Sequence, residues 1–257
     1  MEIAGFSAEV LLLLFSAASI AGFIDTLAGG GGLITIPALI MSGIPPLAVL
    51  GTNKLQSSMG TATATCIMLK YERVKWVEIR QPMLSAFLGS MLGAAAIQFV
   101  NAQRLSLIIP AVLLFVAVYF LISARPREIK SKPRLPAATY RRLIIPIIGC
   151  YDGLFGPGTG SFFTLAGTSL RGHGLTEATA IAKTLNFSTN IAALIVFLNA
   201  GKLVWIVGVF MICGQFMGAW AGAHCLFKIN PKYLRLIVVA VCFALLARYG
   251  LSYKQTY

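Results

Sequence analysis

The sequence predicts an all-α integral membrane protein made of two inverted-topology repeats, each interrupted by a glycine-broken or re-entrant half-helix. Composition is the first ground: of 257 residues, 58% are hydrophobic and only 11% charged, where soluble domains carry about 25% charged residues. The second is an aspartate followed by closely spaced glycines, which occurs once in each half of the chain. The third is that basic loops change sides between the halves, as positive charge does when it reports membrane orientation.

The repeat is read residue by residue. Gly22, Asp25, Leu27, Gly29 and Gly31 match Gly149, Asp152, Leu154, Gly156 and Gly158 about 127 residues later, and Lys54 matches Lys183 at an offset of about 129. Gly89 to Ala94 is echoed by Gly214 to Ala219, and Asn101 by Asn230. Residues 1–124 are therefore read as the first membrane repeat, 125–142 as a basic cytoplasmic linker and 143–257 as the second repeat. Internal repeats of this kind belong to transporters, whose sites lie where the halves meet.

In chain order, the first apolar run covers 10–27. No Lys or Arg precedes it, so it lacks the positive region of a secretory signal and is read as a mature membrane helix. Four consecutive glycines, Gly29 to Gly32, follow. The next run, 33–41, is long enough at about 1.5 Å per residue for roughly half of a 30 Å hydrocarbon core, and reads as a half-helix ended by Pro45 and Pro46. Full spans follow at 47–69, 82–100 and 105–122. The second half repeats the pattern, with short runs at 143–151 and 161–170 around the glycines and spans at 175–198, 204–227 and 234–247. The glycine breaks fit either a discontinuous crossing or a re-entrant pair.

Charge sets the expected orientation. Lys70, Arg73, Lys75 and Arg80 share one loop, and Arg125, Arg127, Lys130, Lys132, Arg134, Arg141 and Arg142 the central link, which puts both in the cytoplasm. The turn at Asn101 has only Arg104. In the second half the bias inverts, because the counterpart of the Lys70 loop holds only Lys202, while Lys228, Lys232 and Arg235 mark the counterpart of the Asn101 turn. The expected protein is multi-pass, with its N-terminus outside. The net charge of +13 is thus topological and suited to anionic lipid rather than nucleic acid.

The candidate site lies at the breaks. Charged residues at membrane depth are costly, by about 2.5–3.5 kcal/mol on insertion scales, and mark ion or substrate paths. Glycine breaks leave half-helix N-termini, with free N–H groups and partial positive charge, that suit an anion. The candidate binding residues are Gly29, Gly30, Gly31, Gly32, Thr52, Asn53, Lys54, Gln56, Gly156, Gly158, Lys183, Asn186 and Asn190, with Ser188 as a further donor. Asp25 and Asp152 either pair with the lysines, carry a coupling proton or cap the broken helices. The lysines alternatively snorkel to an interface, and the glycines alternatively serve close helix packing.

GFIDTLAGGGG-LITIPAL with GTNKLQ, and YDGLFGPGTGSFF with AKTLN-STN, resemble the TauE/SafE-type sulfite exporter family over essentially the whole chain. The resemblance implies a bacterial inner-membrane permease for a small sulfur-containing or organic anion such as sulfite or a sulfonate. It leaves the individual substrate, the transport direction, the coupling ion and the oligomeric state open. A channel or sensor on the same repeat is the alternative, although a sensor is expected to append a soluble output domain. An enzyme is not expected: there is no HExxH, no GxxxxGK[ST], and Ser161 has no partnered histidine in the sequence pattern. No cofactor or metal is expected, and the five cysteines, without CxxC spacing, read as free thiols.

Overall fold

The computed structural model describes residues 2–3, 5–122, 130–225, 239–245 and 247. These are almost wholly helical, and four of the described helices are long and apolar enough to cross a membrane, at Ala8–Leu27, Ala102–Ile122, Leu175–Asn199 and Trp205–Cys225. A small hairpin, β1 (Glu2–Ile3) against β2 (Phe6–Ser7), leads into α1 (Ala8–Ala28). The Ser7 hydroxyl caps that helix by accepting from the Val10 N–H at 3.3 Å. The first half continues through α2 (Gly32–Met41), α3 (Pro46–Lys70), α4 (Trp76–Ile97) and α5 (Ala102–Ile122). Proline opens α3 at a position whose N–H needs no partner.

Two boundaries differ from the expected ones. α4 begins at Trp76, with Pro82 inside it, because its first turns carry Glu78 and Arg80 and the helix extends past the apolar run. In the second half the short run expected at 143–151 is part of a longer rod. α6 (Ala137–Thr139) passes through a π-helical turn at Tyr140–Ile144 into α7 (Ile145–Leu154). Charge at Arg141 and Arg142 hides that continuity from hydropathy, and Arg141 donates to the Gln81 side chain on α4. Then come α8 (Thr159–Leu170), α9 (Leu175–Asn199) and α10 (Trp205–Cys225). Arg125, Arg127, Asn230 and the basic turn of Lys228, Lys232 and Arg235 lie outside the described residues. So does most of the last expected span, of which 239–245 is helical.

Contacts fix the helix directions. The Thr65 hydroxyl donates to the Lys183 carbonyl at 3.3 Å, and Lys54 Nζ donates to Asn190 Oδ1 at 3.3 Å. Residue numbers rise on α3 as they fall on α9, so the two run antiparallel. α10 runs parallel to α3, with Val204 N–H on Thr52 Oγ1 at 3.0 Å and Gln215 against Gly60. It is also parallel to α1, with Gly214, Gly218 and Gly222 against the backbone at Phe15, Ser19 and Phe23. Correspondingly, α4 is parallel to α7, where Gly89 meets Pro146 and Gly93 meets Cys150. It is parallel to α9 as well, where Ile79 clusters with Ala180 and Ser90 Oγ donates to the Thr189 carbonyl at 2.7 Å. The halves therefore interleave: α1 leans on α10, and α7 on α4.

These directions decide the form of the glycine breaks. α2 turns directly into α3 and meets it through Thr35 Oγ1 and Asn53 Oδ1 at 2.6 Å, so it runs back against both α3 and α1. α8 turns into α9 with Gly167 beside Ala178 and runs back against α7 in the same way. Each break is the tip of a helical hairpin. The two hairpins enter from opposite ends and meet tip to tip, where a Cβ on Gly32 would lie 3.2 Å from Pro157 Cα and one on Gly29 only 2.6 Å from Ser161 N. Gly29 also has φ 75°, and a side chain is excluded there on both counts.

At the end near the α8–α9 loop, the described part of the link is strapped to that loop. Ser131 N–H donates to the Gly172 carbonyl at 2.9 Å, Arg134 N–H to that of Leu170 at 2.9 Å, and Arg171 to that of Leu135 at 2.6 Å. Lys130, which is exposed, pairs with Glu177 at 2.7 Å, and Glu177 also meets His173 at 2.9 Å. An exposed pair of this kind contributes little to stability.

Candidate functional site

Each hairpin tip presents its aspartate to a lysine of the opposite half. Lys54 Nζ on α3 lies 2.9 Å from Asp152 Oδ1 on α7, both side chains 1% exposed. Lys183 Nζ on α9 lies 3.1 Å from Asp25 Oδ2 on α1, with side chains 2% and 15% exposed. Desolvating one such ion costs several kcal/mol even after relaxation, so each charge depends on its partner. Both lysines point inward, and neither snorkels to an interface.

The aspartates also cap the hairpins. Asp25 Oδ1 accepts from Gly31 N–H at 3.1 Å, and Asp152 Oδ1 accepts from the hydroxyl of Thr159, the first residue of α8, at 2.7 Å. Each half-helix N-terminus thus has a carboxylate beside it, which the helix dipole favours. Lys183 additionally donates to the Asp25 main-chain carbonyl. The tip regions are consequently neutral, with two cations set against two anions.

Around the pairs lies a polar belt. Asn190 accepts from Lys54, and its Nδ2 faces Asn186 Oδ1 at 3.4 Å and Thr61 Oγ1 at 3.5 Å. On the other side, Asn53 Oδ1 accepts from Thr35 and, at 2.9 Å, from Gln56 Nε2, which also donates to Ser57 Oγ at 2.9 Å. Two acceptors here, Gln56 Oε1 and Asp152 Oδ2, are buried and accept no hydrogen bond from the described residues. Gly156 has φ 98°, and a Cβ on it would lie 3.0 Å from Lys54 Nζ, so glycine alone lets the ammonium approach the tip. Gly158 is left-handed as well, at φ 79°, and Gly30 accepts from Leu33 N–H at 3.0 Å in the first turn of α2.

Not every candidate joins this cluster. Thr52 is spent on the Val204 N–H at the head of α10, and Ser188 donates to the Met83 carbonyl at 2.7 Å. Four participants were missing from the candidates: Thr159, Thr35, Thr61 and Ser57. Thr61 had a signal, since it stands where Asn190 stands in the other repeat. What the arrangement can do chemically is exchange partners, because neither lysine can be left unpaired where it is buried.

The model of the family described as "Sulfite exporter TauE/SafE" matches residues 14–249. A Sinorhizobium protein named "Probable membrane transporter protein ORF9" is 42% identical over 243 residues, covering 93% of this chain and 92% of its own length. A "Probable membrane transporter protein" of Haemophilus influenzae is 39% identical over 240 residues, covering 93% and 94%. One of the same description from Escherichia coli K12 is 39% identical over 232 residues, covering 90% and 86%. No solved structure matches the chain.

Proposed function

We propose, from the premise that this chain belongs to the sulfite exporter TauE/SafE family, that this membrane transporter is a secondary carrier of a small sulfur-containing or organic anion, such as sulfite or a sulfonate. The anion binds near the midplane, where two inverted repeats meet. The observation that carries this reading is the pair of crossed, buried ion pairs, Lys54 with Asp152 and Lys183 with Asp25. They supply fixed positive charge from both halves at the hairpin tips, and an oxyanion needs such a partner once it leaves water. The test is flux of sulfite and methanesulfonate into proteoliposomes of the purified protein. Uptake above protein-free vesicles is expected, and none for either anion overturns the reading.

The opposite directions of α3 and α9, together with the inverted charge bias, support an inverted repeat in the inner membrane with the N-terminus outside. A cytoplasmic reporter fused near Arg73 is therefore expected to be active, and one fused near Lys202 silent. Equal activity at both positions excludes the arrangement.

We infer that Asp152, buried and paired with Lys54, carries a coupling proton during transport rather than only holding the fold. Asp152→Asn is expected to abolish transport driven by a pH gradient while leaving anion exchange in place. Asp25→Asn is the parallel case, and if both variants still follow the gradient like the parent, the acids only hold the fold.

A further inference from the structure

We propose that the anion's charged head sits in a single cradle on one side of the tips, formed by Lys183, Asn186 and the first turn of α8 over the bare backbone of Gly160. This rests on the anion-carrier reading above. A methyl group on Gly160 would lie 3.5 Å from Lys183 Nζ and 3.7 Å from Asn186 Nδ2, with Gly29 Cα at 3.2 Å closing the back. An ammonium and an amide donor therefore converge on a spot that no side chain fills.

Asn186 supplies the independent sign of a ligand. It is only 7% exposed, and its Oδ1 accepts from Asn190 Nδ2 at 3.4 Å, which turns its own Nδ2 toward Gly160. There that donor meets no acceptor among the described residues. An amide donor left over beside an ammonium, on a residue that is itself largely buried, suits an acceptor from outside the protein. α8 is 12 residues long and starts on Gly158, and Asp152, held to its first residue through the Thr159 hydroxyl, offsets the dipole of that end, so the charge offered to the anion is that of Lys183.

The other half offers no equivalent. Leu33 stands where Gly160 does in the repeat, and Ser57 where Asn186 does. Lys54 is closed in by Gly156 and by an aspartate that is 1% exposed. Asp25, by contrast, is 15% exposed, so the Lys183 pair is the one an arriving anion can enter. The anion takes the place of Asp25 Oδ2 on Lys183, while Asp25 Oδ1 keeps the Gly31 N–H. The ligand this selects is a small oxyanion with at least two free oxygens, one for the ammonium and one for the amide. Its head cannot be bulky, because Gly29 closes the back of the space.

The test is calorimetric titration of the purified full-length protein with sulfite and with methanesulfonate, alongside its unfolding midpoint. Gly160→Ala puts a methyl where an anion oxygen belongs, and Asn186→Ala removes the donor. Each is expected to weaken binding at least tenfold with the midpoint close to that of the parent. Gly160→Ala also presses on Gly29, so if that variant fails to fold, Asn186→Ala decides alone. Parental affinity in Asn186→Ala overturns the cradle and leaves the carrier reading standing. A parent that binds neither anion overturns both.

Discussion

Replacing Asp152 with alanine is expected to be among the most destabilising single changes in the protein. It strands the Lys54 ammonium, 1% exposed, with Asn190 as its remaining hydrogen-bond partner, and it removes the acceptor for the Thr159 hydroxyl. Breaking a buried pair by deleting one partner costs about 3–5 kcal/mol, whereas removing both charges is often far less harmful. The unfolding midpoint in detergent should therefore fall sharply in Asp152→Ala and in Lys54→Ala, and recover in part in the double variant. A double variant that loses the full sum of the single losses would mean that the two charges do not depend on each other.

The second large effect is on binding. Truncating one member of a buried charge pair at an interface commonly costs about 2–5 kcal/mol, or roughly 30-fold to several thousand-fold in affinity. Lys183→Ala and Lys54→Ala should each weaken anion binding at least tenfold by titration. Lys183→Ala acts by removing the ammonium itself, and Lys54→Ala by leaving Asp152 as an uncompensated negative charge near the tips. Lys54→Arg keeps the charge but replaces a compact ammonium with a planar fork, for which the tip at Gly156 is tight, since even a Cβ there would lie 3.0 Å from Nζ. If both alanine variants bind as tightly as the parent, the lysines are structural and the half-helix N-termini must serve the anion.

Much of this site was legible before any coordinates. Doubling of the motif singled out Asp25, Asp152, Lys54 and Lys183, since a chance acid or base in apolar sequence does not recur at the matching place in a second repeat. What the motif cannot convey is that each pair crosses between the halves. Within one half, Asp25 and Lys54 look like natural partners, and only the packing of α1 on α10 and of α7 on α4 brings each aspartate to the other half's lysine. Thr52 shows a second limit. It is two residues from Lys54, and on a helix such residues do not share a face, so proximity in sequence placed it in a cluster that it turns away from. Helix ends failed where composition and backbone part company: α4 and the rod running into α7 stay helical through charged turns that hydropathy treats as loop.

The position of the two ion pairs along α3 and α9 has a consequence for leakage. The backbone of Lys183, which reaches Asp25, meets Thr65 toward the end of α3 that leads to Tyr71, and Lys54 with its pair stands nearer the end where α3 begins. A movement that parts the halves at one end therefore releases one pair and leaves the other closed. Releasing the second at the same time adds a further cost, so a state open at both ends is expected to be rarer than one open at a single end. Vesicles carrying the resting protein are accordingly expected to hold an imposed proton gradient about as long as protein-free vesicles, measured with an entrapped pH dye.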